Sequence, residues 1–218
     1  MTLRNIVRVG MGMVAAVTLV GCATHKPYDY TNYRQHPPRS ILVLPPMNQS
    51  TAVEATYGYL STVTRPVAEL GYYVFPVAVV DQFLKDNGLP SAAEMHQVSL
   101  GRVAEVVGAD AVLFITVEEY GTKFLLFNSA TIVQARAKLV DTRTGLLLWE
   151  GRRRVQRNSN SGGGSPLAAL VVAIVSQALN SSTDAAHNVS RAANVMLFNT
   201  TDQGLLYGPY HPKHDSHE

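Results

Sequence analysis

The 218-residue chain has a single cysteine, and no apolar run long enough to span a membrane permanently. One thiol cannot close an internal disulfide, so a lone cysteine in an exported protein calls for another explanation. Charge of one sign is missing as well. There are 18 basic and 16 acidic residues, and nothing in that balance asks for nucleic acid. Enzyme signatures are also lacking. No Gly-x-Ser-x-Gly elbow is present. Gly162-Gly163-Gly164-Ser165 lacks the Lys-Ser/Thr ending with which a phosphate loop holds nucleotide and metal, and it reads as a linker. No internal repeat is found.

The strongest feature that is present lies at the start. Arg4 and Arg8 precede an apolar run from Val9 to Val20, and Leu19-Val20-Gly21-Cys22 follows. Basic, apolar, then small is the order of a cleaved export signal. The run is about a dozen residues, against the ~20 of a spanning helix. Leu19-Val20-Gly21-Cys22 resembles the lipobox of bacterial lipoproteins. The resemblance implies cleavage before Cys22, a diacylglycerol on its thiol and an acyl chain, such as palmitate, on its amino group. Each buried methylene adds ~0.8 kcal/mol, so several chains hold firmly where one does not. Ala23 after the cysteine, by resemblance to Gram-negative lipoproteins, implies the outer membrane with the protein facing the periplasm. Loss of residues 1–21 removes Arg4 and Arg8 and leaves 16 basic residues against 16 acidic.

Residues 22–39 are expected to be a lipid-anchored tether, 40–200 a single domain and 201–218 a flexible tail. Prolines stiffen the tether, and its polar residues offer little to bury. Tyr28, Tyr30 and Tyr33 within it either pack on the domain, lie near headgroups or form a partner-binding strip. Ile41–Leu44, ended by Pro45-Pro46, reads as a buried strand. Glu54–Leu70 reads as a helix stopped by Gly71, with Pro66 expected to kink it or start a second one. Tyr72–Phe75 reads as a strand and Val77–Asp86 as a helix. Ser91 with Glu94 matches a capping box opening a helix whose later part is Leu100–Val107. Ala111–Val117 is the third strand. Thr131–Val140 alternates apolar and polar, Asp141–Gly145 makes a turn, and Leu146–Glu150 returns. Strand–helix alternation followed by an antiparallel hairpin predicts an α/β (α+β) fold, a mixed sheet with helices packed on it.

Asn158–Ser165 reads as a loop. Pro166–Leu179 is almost wholly apolar and, as a helix of ~20 Å, is shorter than a ~30 Å hydrocarbon core. It is a core helix, a subunit interface or a membrane contact. Leu167, Leu170, Val171, Ile174 and Val175 are the candidate interface residues. Thr183–Phe198 reads as a helix with Val189, Ala192, Ala193, Val195 and Met196 as its apolar positions. His211, His214 and His217 are the only histidine cluster. A solvated tail is preferred to a metal site, because ordering that tail costs entropy. Arg152-Arg153-Arg154 with Arg157 is either a solvated strand end or a contact for anionic headgroups or a partner's acidic patch. Glu118-Glu119 is a possible counterpart, although neighbouring carboxylates on a regular strand diverge.

Four stretches in order carry a family resemblance: Ser40–Pro46, Leu70–Val77, Gly108–Leu113 and Leu139–Trp149. The set resembles a family of bacterial outer-membrane lipoproteins of unknown function that includes a meningococcal vaccine-candidate antigen. It is more distantly similar to the periplasmic domain of curli-type secretion channel lipoproteins and to the N-terminal domain of the Tol propeller protein. The resemblance implies an α/β domain with a mixed sheet, no catalytic residues and no cofactor or metal, and Cys22 as the one site residue. It also implies self-association, as a homodimer or higher oligomer, and work beside a curli-channel-like lipoprotein. The expected function is that of a non-enzymatic assembly or accessory subunit of an envelope complex. The rivals are a small-molecule or peptidoglycan-binding module, an envelope hydrolase and a channel component; the channel's membrane-crossing hairpins are not evident in Phe124–Val133.

Overall fold

A computed structural model describes residues 27–124, 129–158 and 185–214. The export signal, Cys22, the Gly162–Ser165 linker, the apolar segment with Leu167, Leu170, Val171, Ile174 and Val175, and His217 all lie outside the described residues.

The chain begins with a short helix α1 (Thr31–Gln35), then β1 (Ser40–Val43) and β2 (Met47–Asn48). Next come α2 (Ala55–Glu69), β3 (Tyr73–Val74), α3 (Val77–Asp86), α4 (Ala92–Met95) and α5 (Leu100–Val106). Three long strands follow, β4 (Ala111–Phe124), β5 (Ser129–Asp141) and β6 (Leu147–Asn158), and helix α6 (Ala185–Phe198). The sheet is mixed and six-stranded, in the order β3-β1-β4-β5-β6. β1 is parallel to β3 and β4, β2 continues β1 alongside β4, and β4, β5 and β6 are antiparallel neighbours. Pro45-Pro46 separates β1 from β2, because proline donates nothing to a ladder. The mixed sheet with helices packed on it is the architecture expected from the strand–helix alternation.

One sheet face packs against α2 and α6, around Ile41, Leu113, Ile115, Ala137, Leu139 and Trp149. The other face is covered only over β1 and the start of β4, where Leu42, Leu44 and Val112 meet Val80, Leu84, Met95 and Val103 of α3–α5. The rest of that second face, on β4, β5 and β6, carries polar side chains and no helix among the described residues. The β5–β6 turn is set by Asp141. Its Oδ1 accepts from the N–H groups of Arg143 and Thr144 at 3.1 and 2.7 Å and from the Thr144 hydroxyl at 2.8 Å. Gly145 closes the turn at φ +73°, a region that costs other residues energy.

Several expectations need revision. α2 runs unbroken through Pro66, which is buried in its last turn. There proline removes one hydrogen bond, and core packing outweighs that loss. The capping box at Ser91–Glu94 forms, but α4 and α5 are separate helices. β4 continues seven residues beyond Val117, to Phe124, because it pairs with β5 along its whole length. α6 buries Leu197 and Phe198 and leaves Val195 and Met196 half-exposed; Asn188, Ser190 and Asn194 are buried with them. Two of them bond to α2: Asn194 Nδ2 donates to Thr62 Oγ1 at 2.9 Å, and Ser190 Oγ lies 2.8 Å from the same atom.

The two ends of the domain also pack more closely than their composition suggests. Tyr33 of α1 is 4 % exposed, and its hydroxyl bonds that of Tyr72. After α6, Trp149 Nε1 donates to Gln203 O at 2.9 Å, Gly208 N to Leu70 O at 2.7 Å and Tyr210 N to Gly71 O at 3.1 Å. Tyr28 N donates to Asp202 O at 2.8 Å, so the first described residues lie on the last ones. Aromatic rings and backbone groups, rather than an aliphatic run, hold both segments.

Candidate functional site

The residues that could meet a partner gather around β6. Alternation sends Arg153 toward α6, where its guanidinium bonds Thr200 Oγ1 and donates to Met196 O at 3.5 Å. Arg152 and Arg154 project onto the open face. There a β-bulge between Val117 and Glu119 changes the parity of β4. Both Glu118 and Glu119 consequently reach the open face, which corrects the expectation that they diverge. Arg152 bonds Glu118 at 2.7 Å and Arg154 bonds Glu119 at 3.3 Å.

Burial pushes the Glu118 carboxyl up, but the hydrogen bonds from Gln134 and Arg152 outweigh it and hold the group below the usual carboxylate range. Hydrogen bonding from Lys123, 2.6 Å away, is the main influence that lowers Glu119. These carboxylates are ionised partners of cations, not an acid–base pair. Opposite them on β5, Arg136 pairs in register with Arg152 and Lys138 with Glu150. Sequence reasoning missed the place of Arg136, because a register shift between Leu139 and Val140 sets it opposite Arg152, where the register at the turn carried back unchanged would give Gly151.

A cleft of about 440 Å³ lies at the β6 edge, lined by Tyr28, Arg136, Glu150, Arg152, Arg153 and Thr200, among others. A second, of about 580 Å³, lies beside it between the N-terminal segment and residues 198–207. Tyr30 lines the second, and burial pushes its hydroxyl up to about 12. Neither holds a set of convergent carboxylates or imidazoles. His211 stacks on Tyr207 at 3.9 Å, and His214 Nδ1 donates to Tyr207 O at 3.0 Å. No group of three potential metal-binding side chains occurs among the described residues. No helix among them is long and apolar enough to cross a membrane.

The family described as "Putative lipoprotein GNA1162-like" matches residues 28–210. The chain belongs to this family. The "Putative lipoprotein NMB1124/NMB1162" of Neisseria meningitidis serogroup B is 43 % identical over 202 residues, covering 91 % of this chain and 94 % of the relative. The crystal structure of lipoprotein GNA1162 from Neisseria meningitidis is 46 % identical, with a TM-score of 0.56 over 66 % of this chain and all of that one. The mixed α/β fold is thus shared with a solved relative. A PelC dodecamer structure from Paraburkholderia phytofirmans is 14 % identical, with a TM-score of 0.46, covering 73 % of this chain and 85 % of that one.

Proposed function

We propose that this member of the GNA1162-like family is a non-enzymatic, lipid-anchored subunit of an envelope assembly. Cys22 carries the lipid and holds the domain on the outer membrane, facing the periplasm. The observation that carries the reading is the order of the chain: a lipobox-like Leu19-Val20-Gly21-Cys22 lies immediately ahead of a lipoprotein-family domain matched over residues 28–210. Anchoring confines the domain to a surface, where weak contacts suffice for assembly. The charged groups around β6 support a docking role over a chemical one. Glu118 and Glu119 are held ionised by cations, whereas a general acid requires a raised carboxyl in a cleft.

A second copy of the chain and another envelope lipoprotein, similar to the curli secretion channel, are the partners of this reading. The apolar residues Leu167, Leu170, Val171, Ile174 and Val175 are its contact. Native mass spectrometry of the anchored protein, captured from detergent-solubilised membranes, is expected to show oligomers with a co-purifying lipoprotein. Monomers alone, with no envelope partner, would contradict the proposal.

A further inference from the structure

β6 is an edge strand, paired with β5 on one side and with no strand on the other among the described residues. The N-terminal segment reaches this free edge at its start. Tyr28 lines one cleft together with Glu150, Gly151 and Arg152 of β6, and Asn32 Nδ2 donates to Leu147 O at 3.1 Å. Beyond Glu150 the strand reads Gly151-Arg152-Arg153-Arg154-Val155-Gln156-Arg157.

Chain length limits where the membrane can be. Six residue steps separate Cys22 from Tyr28. A fully extended chain covers at most ~3.6 Å per residue, so these steps span about 22 Å at most. A lipid on Cys22 therefore keeps the start of β6 close to the headgroups. β3, at the opposite edge of the sheet, lies four strand spacings, about 19 Å, from β6.

Charge runs in the same direction. Residues 129–158, the β5–β6 hairpin, carry seven basic and two acidic side chains, whereas residues 54–106, with α2 to α5, carry three basic and six acidic. Arg152 and Arg154 are 62 % and 45 % exposed despite their ion pairs. A guanidinium has five N–H donors, so each keeps donors beyond the carboxylate it holds. Arg136 and the exposed Arg157 make no ion pair among the described residues. Arginine on an edge strand also deters strand pairing, but that role gives no reason for the tether to arrive at the same edge.

We infer that the β6 edge rests on the membrane, where Arg136, Arg152, Arg154 and Arg157 bind the phosphate groups of anionic phospholipids. The inference depends on the lipid anchor at Cys22. With that thiol acylated, a newly introduced cysteine is the only reactive one, so a nitroxide can be attached selectively to Gln156→Cys on β6 or to Val79→Cys on α3, a position 66 % exposed. The anchored protein is placed in phosphatidylcholine vesicles with or without phosphatidylglycerol, and relaxation by a water-soluble nickel chelate is measured. With phosphatidylglycerol, accessibility at Gln156→Cys is expected to fall about threefold relative to Val79→Cys, and R136Q/R152Q/R154Q/R157Q or high salt should restore it. Equal accessibility at the two sites, in protein that still floats with the vesicles, would overturn the inference and leave the anchor intact. Protein that does not float at all would overturn the anchor itself.

Discussion

Asp141 and His96 each carry pH-dependent stability. Burial pushes the Asp141 carboxyl up, but the Thr144 hydroxyl and the Thr144 and Arg143 N–H groups outweigh it and hold the group below its ordinary value. Its contribution is therefore present above about pH 4 and lost as pH falls through the lower folded value. Asp141→Ala removes all three bonds and should cost about 2 kcal/mol in urea denaturation, and Asp141→Asn, which keeps the accepting oxygen, should cost less. His96 behaves oppositely to a salt-bridged histidine. Burial lowers its pKa, although Nε2 donates to Pro45 O at 3.0 Å, a bond that raises it. The unfolded ring binds its proton more tightly, so stability should fall as pH drops below about 6.5. Denaturation midpoints measured across that range should flatten in His96→Gln, while a slope unchanged by the substitution would assign the effect to other groups.

Among the elements, most boundaries are legible because local chemistry sets them. Asn87-Gly88 ends α3, the capping box opens α4, and alternation from Thr131 to Val140 marks β5. What sequence does not reveal depends on contacts between distant segments. The tolerance for Pro66, the buried Asn194 of α6 and the packed segments at both ends are of this kind. The β4 bulge is another, since it is defined only by pairing with β5. Asn194→Ala removes the donor to Thr62 between α2 and α6 and should destabilise by about 1–3 kcal/mol. Gly151 has a comparable role on β6. A Cβ there would lie 2.6 Å from Trp149 Cζ2 and 3.0 Å from Leu197 Cδ1. Gly151→Ala should therefore cost about 1–3 kcal/mol, read as a lowered denaturation midpoint. Wild-type midpoints for either variant would show that the α6–β6 contact is loose.

For the whole molecule, the candidate site was legible in two halves. Cys22 and the arginine run stand out in the sequence, each within a few residues of the other members of its motif. Their relation does not, because only the fold brings Tyr28, near the chain's start, to the same cleft as Glu150 of β6. Local sequence cannot express a contact across more than a hundred residues.

Everything functional in this account depends on lipid at a single sulfur. Mass spectrometry of the N-terminal peptide from membrane-purified protein tests it most directly. A peptide that begins at Cys22 and carries diacylglyceryl and amide-linked acyl groups is predicted. An unmodified Cys22, or a retained segment 1–21, on protein recovered from the soluble fraction would contradict it.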